Sequence, residues 1–249
     1  MDRNGWLELN RRGMQGTFTA FARSAGARVI ERDGLFATVN PAVPERSVFN
    51  SVVCPDGAAL SGAYDELVAE YAGRGCAWTV WVREDDTATA AFLERAGHSL
   101  DAEPRAMGCE LEDVEEPDLA GLEWTDEAGL ELSGPLNDWA YGYEEGTWVR
   151  GTGLDPEGLI TYVAFVDGEP ASTVAAHDED GDCSIWNVAT VEAARGLGLA
   201  SRLMRRALWD AARRGCATTT LQATKLGAPV YEALGYRDFG ALQMWELRE

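Results

Sequence analysis

Two groups of residues in the second half of the chain have types and spacing that could do chemistry. The first is Arg195-Gly-Leu-Gly-Leu-Ala200, which follows the run Val188-Ala189-Thr190 and leads into a helical pattern. A strand, a glycine-rich turn and a helix can together bind a diphosphate. The glycines let the backbone come close, the first N–H groups of the helix have no partner within it, and the macrodipole adds partial positive charge. Arg195 can supply a full charge. Two common phosphate loops do not fit: G-x-x-x-x-G-K-[ST] is absent, and the Rossmann fingerprint needs a third glycine where Ser201 stands. The second group is Tyr231-Glu-Ala-Leu-Gly-Tyr236. Tyr231 alone reads as a core aromatic sooner than as an acid.

Other chemistries find less support. Cys54, Cys76, Cys109, Cys183 and Cys216 are odd in number, scattered and without a C-x-x-C pair, which argues against a disulfide framework and a zinc site. Asp178-Glu-Asp-Gly-Asp182 resembles the start of a calcium loop, but the sixth and twelfth positions, Gly and Glu in an EF-hand, are Cys183 and Ala189. It reads as a turn, and no metal is expected. No G-x-S-x-G or H-E-x-x-H occurs. Arg202, Arg205, Arg206 and Arg213 read as a solvated helix face, with one of them reaching a phosphate as the alternative. Trp139, Tyr141, Tyr143 and Trp148, beside Glu144 and Glu145, are either core or an aromatic and acidic wall for a cation.

The elements that must position these residues follow from periodicity. Residues 160–166, Asp167-Gly168 and residues 171–177 read as a hairpin, since Asp-Gly between apolar runs is a favoured two-residue turn. A strand over 183–190 follows. Leu199, Leu203, Ala207 and Ala211 recur every four residues, with Met204 and Leu208 beside them, and predict a helix to about Arg214. A strand over 217–223, a short helix over 228–234 stopped by Gly235, and a final strand over 243–247 complete a mixed α/β pattern.

The same pattern occurs earlier in weaker form. Arg74-Gly-Cys-Ala77 recurs as Arg214-Gly-Cys-Ala217, Leu93-Glu-Arg-Ala-Gly-His98 as Tyr231-Glu-Ala-Leu-Gly-Tyr236, and Glu110-Leu111 as Glu246-Leu247. Three collinear matches in the same structural context predict two copies of one fold. The acidic stretch 111–120, with Pro117, reads as the linker, giving halves at 1–115 and 116–249. The first copy lacks the chemistry: the loop positions fall on Pro55-Asp-Gly-Ala-Ala-Leu60, with no basic residue, and Tyr231 falls on Leu93.

The chain has 249 residues, 21 Lys plus Arg against 42 Asp plus Glu, and 46% hydrophobic residues. The apolar share suffices for a packed core. A formal charge of −21 argues against a general nucleic-acid partner, because phosphate recognition draws on clustered Lys and Arg. The charge is uneven. Residues 116–192 hold 18 acids and one Arg, whereas residues 193–249 hold nine basic residues and five acids. No run of 18 apolar residues or export signal is present, which predicts a cytoplasmic protein with no membrane partner.

In their strand, loop and helix context, Arg195, Gly198 and Ala200, followed by Tyr231, Glu232, Leu234, Gly235 and Tyr236, resemble the GNAT superfamily of acyl-CoA N-acyltransferases. The family patterns [QR]-x-x-G-x-[GA] and Y-E-x-L-G-[FY] are both met. The resemblance covers about 184–249 closely and the half from Gly121 more loosely. It implies an α/β fold of two tandem GNAT-like domains, each a mixed β-sheet flanked by helices, the N-terminal one degenerate. It also implies that Val188, Ala189 and Thr190 line the pantetheine of acetyl-CoA, the co-substrate. Arg195, Gly196, Leu197, Gly198, Leu199, Ala200 and Ser201 would hold its pyrophosphate, and Tyr231 would protonate the leaving thiolate. Thr224 and Gly227 stand where members often carry Asn and Ala; Thr224 retains hydrogen-bonding capacity toward the cofactor. Glu144, Glu145, Glu192 and His177 are the candidates for a general base, and ordered water could replace them.

The expected activity is transfer of an acetyl group to a primary amine of a small cationic acceptor, because the acidic segment lies where an acceptor cleft would be built. The alternatives are a non-catalytic acyl-CoA-binding or interaction module and a protein or peptide N-acetyltransferase. The expected assembly is a monomer or homodimer.

Overall fold

The computed structural model describes residues 1–55 and 57–248; Asp56, in the loop segment of the first half, and Glu249 lie outside the described residues. The chain opens with helix α1 (Arg3–Ser24), strands β1 (Arg28–Arg32), β2 (Leu35–Val39) and β3 (Ser51–Val53), and helix α2 (Gly57–Ala72). Then come β4 (Trp78–Arg83), α3 (Thr87–Arg95), β5 (Ser99–Ala102) and β6 (Arg105–Glu110). An irregular segment over 111–122 leads to β7 (Glu123–Thr125), α4 (Gly129–Tyr141), α5 (Thr147–Thr152), β8 (Leu159–Val166), β9 (Glu169–Glu179) and β10 (Asp182–Thr190). Helix α6 (Leu199–Arg214), β11 (Thr218–Ala223), α7 (Ala228–Glu232) and β12 (Arg237–Leu247) complete it.

Local chemistry explains the long hairpins. Asp167 and Gly168 both take positive φ, 53° and 81°, and so do Asp180 and Gly181, at 47° and 81°. Two consecutive left-handed residues make the turn whose twist matches the flanking strands. β9 and β12 both run further than the periodicity predicts. Helix α6 buries Leu199, Leu203, Met204, Ala207, Leu208 and Ala211 on one face and ends at Gly215, whose φ of 100° releases the chain into β11.

Among the described residues, twelve strands join one mixed sheet, in the order β1-β2-β3-β4-β12-β6-β11-β10-β9-β8-β7, with β5 also on β12. The pairings run alike from both ends. β1 and β2 are antiparallel, β2 and β3 antiparallel, and β3 and β4 parallel. β8 and β9, β9 and β10, and β10 and β11 repeat these relations. Each run is then closed by an antiparallel strand from the other half of the chain: β12 on β4, and β6 on β11. The predicted boundary at 115/116 therefore divides the chain but not the sheet.

The repeated sequences occupy matching places. Gly97 and Gly235 both have φ of 95°, and each is followed by a buried residue, His98 or Tyr236, whose N–H returns to the carbonyl of Leu93 or Tyr231. Alternation along the strands sorts the helices into two layers. Val80 and Val82 pack with α2 and α3 while Trp81 faces α1; Cys183 and Ile185 pack with α6 while Trp186 faces α1. Helices α2, α3, α6 and α7 thus share one face, and α1, α4 and α5 the other. Helix α1 sits close on the second half: a Cβ on Gly13 would stand 3.0 Å from Ser184 Cβ, and Asn10 Nδ2 donates to the Leu221 carbonyl at 2.9 Å.

Candidate active site

The site is built from the C-terminal ends of the parallel pair β10 and β11. Their register runs from Asp182 opposite Thr218 to Ile185 opposite Leu221 and stops there, although both strands continue. Beyond that point the β11-facing edge of β10 is unpaired. On its other edge the ladder to β9 slips between Trp186 and Ala189, around Asn187 at φ 50°. Asn187 is held there because its Oδ1 accepts from Asn137 Nδ2 of α4 at 2.7 Å. The result is a gap bordered by Val188, Ala189 and Thr190. Sequence periodicity missed the bulge; an asparagine inside the strand, a residue type that tolerates the left-handed region, was the available signal.

The loop that follows has the shape its residues suggest. Arg195 is extended, Gly196 and Gly198 have φ of 80° and 74°, and Leu197 between them is exposed. Gly198 is the N-cap of α6 and no side chain caps the helix, so the amides of Leu199, Ala200 and Ser201 begin the helix without an intrahelical acceptor. These are donors free for an anion. Arg195 forms no ion pair among the described residues; its guanidinium lies 5.6 Å from the centre of the Trp139 ring. Of the helix arginines, Arg202 donates to the carbonyls of Asp118 and Ala120, Arg206 pairs with Asp210, and Arg213 lies over Trp209. Those three are engaged locally.

Tyr231 stands on α7, which starts from the loop after β11, so it borders the same gap from the other strand. It is buried, its ring 5.8 Å from that of Tyr236, whose hydroxyl is bound to Thr219. No hydrogen bond engages the Tyr231 hydroxyl among the described residues. Burial, and then the neighbouring Tyr141, hold its pKa above the ordinary phenol value, so it carries its proton at neutral pH. Gly227 makes room for it: a Cβ there would stand 3.0 Å from Tyr231 Cε2. Thr224 Oγ1 accepts from the Gly227 amide at 3.2 Å, holding the turn into α7.

The aromatic cluster divides. Trp148 is core, packed edge-on to Phe21 and Phe49, whereas Trp139 and Tyr141 are 46% and 51% exposed and belong to the site. Tyr143 stacks on Tyr141 and carries Arg46 of the first half 3.5 Å above its ring. Leu197 and Leu226, on the two loops leaving β10 and β11, are also exposed, at 58% and 91%. An unpaired strand edge, uncapped helix amides, one cation and an apolar rim fit a long ligand with amides along its stem and an anionic group at one end.

The base candidates are dispersed. Glu144 and Glu145 are exposed in the α4–α5 connection and Glu192 precedes the Arg195 loop. His177 pairs with Ser184, four residues before Val188, which puts it about 13 Å down the strands. Among the described residues no group of three or more His, Cys, Asp or Glu could hold a metal ion, and no helix is long and apolar enough to cross a membrane.

The class this fold and site define is an acyltransferase. The segment that defines it, residues 120–236, matches the acetyltransferase (GNAT) family, which uses acetyl-CoA, and it contains both the Arg195 loop and Tyr231. No curated protein matches the chain. Among solved structures, a GCN5-related N-acetyltransferase from Kribbella flavida superposes with a TM-score of 0.70 at 18% identity, over 95% of each chain. One from Sphaerobacter thermophilus gives 0.61 at 15%, over 96% of this chain and 92% of the other. A tandem GNAT protein from the clavulanic acid biosynthesis pathway gives 0.58 at 14%, over 86% and 78%. At these identities the likeness is one of fold.

Proposed function

We propose that the protein transfers an acetyl group from acetyl-CoA to a primary amine of a small cationic acceptor, with the chemistry confined to the second half. The observation that carries this reading is the open gap between β10 and β11, with donor amides and Arg195 at its mouth and the Tyr231 phenol beside it. The backbone of Val188, Ala189 and Thr190 would hold the pantetheine amides. The amides of residues 199–201, with Arg195, would hold the pyrophosphate, the intervening glycines 196 and 198 letting the backbone approach, and Thr224 would shape the opposite wall. Acetyl-CoA supplies an activated thioester; the amine nitrogen attacks its carbonyl carbon and the carbon–sulfur bond breaks. Tyr231 would give its proton to the departing sulfur, and the proton lost by the nitrogen would leave through water.

The same reading makes the first half, residues 1–115, a degenerate copy of the second, 116–249. The matching strand pairings and the matching turns at Gly97 and Gly235 support it. Leu93, fully buried where Tyr231 stands in the second half, leaves that position of the first half without a proton donor. It would serve to close the sheet and to bring α1 and Arg46 against the active half.

The test is release of free CoA from acetyl-CoA with a panel of amines that includes diamines, aminoglycosides and lysine peptides. Turnover of small cationic amines is expected. Binding of acetyl-CoA without turnover of any amine would replace the enzyme reading for this acceptor class by that of a binding module. Preference for peptides would move the acceptor to protein chains.

A further inference from the structure

In a regular strand, side chains alternate between the two faces of the sheet. β10 keeps that alternation up to Trp186: Cys183 and Ile185 pack with α6, and Trp186 packs against Phe18 and Phe21 of α1. The next residue should return to the α6 face. Instead Asn187 turns to the same face as Trp186, where its Oδ1 accepts from Asn137 Nδ2 of α4 at 2.7 Å. The slip in the ladder to β9 permits this, because it takes up one extra residue of β10 between Trp186 and Ala189. Alternation then resumes in the opposite phase. Val188 packs against the core that holds Leu199 and Tyr231, and Ala189 against Leu136 of α4 and Val163 of β8. Without the slip each of these side chains would change face, Val188 toward α4 and Ala189 toward Tyr231.

Stability alone does not call for the pair that holds the slip. Asn137 and Asn187 are 1% and 7% exposed, so both amides are removed from water. Their hydrogen bonding is incomplete: Asn137 Oδ1 has no partner among the described residues, and Asn187 Nδ2 reaches the Ser133 carbonyl only at 3.5 Å. Two buried amides that satisfy each other in part contribute less than an apolar pair of the same shape, which leaves no polar group unmade. What an apolar pair would not supply is a reason for residue 187 to stay at φ 50°. Asparagine tolerates that region, and the bond to α4 fixes it there.

We propose that Asn137 is a positioning residue for the acyl-transfer site: by holding Asn187 left-handed it sets the phase of β10, so that Val188 meets the Tyr231 side and the backbone of residues 188–190 is presented to the pantetheine. The role rests on the reading of the β10–β11 gap as the place of acetyl-CoA. Asn137 itself touches neither the cofactor nor the reacting atoms in this scheme.

Two double variants of the full chain separate phase from packing. Both remove the two buried amides, and they differ in what residue 187 allows. Asn137→Leu/Asn187→Gly keeps a residue at home at positive φ, whereas Asn137→Leu/Asn187→Val installs a β-branched one that is not. By isothermal titration, Asn137→Leu alone should weaken acetyl-CoA binding about fivefold, the size of one net hydrogen bond. The glycine double variant should return to within about twofold of the parent, and the valine one should lose about tenfold or more. Rescue by glycine, which otherwise weakens a strand, is a result that a packing role would not give. In the absence of ligand, the ¹³Cβ shift of Asn187 should move toward the extended-strand value in Asn137→Leu. Should the valine variant fail to fold, the comparison of Asn137→Leu with the glycine double variant decides. Parent-like affinity and an unmoved Asn187 shift in Asn137→Leu, or no rescue by glycine, would overturn the role of Asn137 alone. A parent chain that does not bind acetyl-CoA would overturn the reading of the gap, and this role with it, before any variant is compared.

Discussion

Tyr231 shows what a motif can and cannot give at the scale of one residue. Its type and spacing were readable, but its usefulness rests on burial that only the fold creates, and on room left by Gly227. Tyr231→Phe should lower turnover about 10²-fold, the size expected on losing a general acid, while acetyl-CoA affinity stays near its original value. Unchanged turnover at saturation would remove the residue from the reaction. Gly227 has an ordinary φ of −80°, so Gly227→Ala carries no backbone strain, and its effect would come from a methyl pressed on the Tyr231 ring. Steady-state rates should fall with little change in stability. His98 gives a different kind of signal. Its ring is bound between the Trp245 carbonyl and the Tyr64 hydroxyl, and burial lowers its pKa, as it does for His177. A folded-state pKa below the unfolded value of about 6.5 contributes stability above that pH and loses it as pH falls through the folded value. Urea midpoints should therefore drop from pH 7.5 to 5.5, and His98→Gln should flatten part of that slope. Neither burial was visible beforehand, since an isolated histidine in a sequence has no neighbours to read.

At the scale of elements, the reading was best where local chemistry decides. Asp167-Gly168 made its turn, and the apolar spacing of Leu199 to Ala211 made its helix. Strand ends were read short in β9 and β12: Glu179 is carried by Asp182 across the next turn, and Arg237 by Gly108, far away in the chain. The slip at Asn187 escaped because its cause, Asn137, lies on another element. The loop before α6 combines both situations: its glycines announce left-handed backbone, but the unpaired edge beside it depends on the slip of β10 at Asn187. Arg195→Ala should weaken CoA binding by about tenfold or more, in line with a lost charge-assisted hydrogen bond, and leave turnover at saturation nearly intact. Gly198→Ala should do more, because φ of 74° at the N-cap is costly for any residue with a Cβ and the first amides of α6 are aimed from it. Fluorescence titration with CoA would measure both; equal affinity in the two variants and the parent would mean that the ligand's anionic end lies elsewhere.

At the scale of the molecule, three short matches suggested a repeat, but the way the two halves of the chain are joined was not legible. A collinear repeat suggests two units side by side, whereas the pairings exchange the closing strands: β6 leaves the first half to cover β11, and β12 returns to cover β4. Strand exchange of this kind is set by contacts across more than a hundred residues, and periodicity carries no trace of it. It has a consequence for folding. A fragment of residues 116–249 retains the Arg195 loop and Tyr231 but loses β6, so β11 becomes a bare edge beside the site, and its own β12 has lost β4. A fragment of residues 1–115 is left with β4 bare in the same way. Each fragment expressed alone should therefore aggregate or show the loose packing of an incomplete sheet, and the whole chain should unfold in one transition by calorimetry and by fluorescence. Mixing the two fragments during refolding should restore a soluble complex that binds CoA. Two separated transitions in the whole chain, or a well-folded 116–249 fragment with full CoA affinity, would show that the second half closes its sheet without help, and that the exchanged strands are a convenience of packing rather than a requirement.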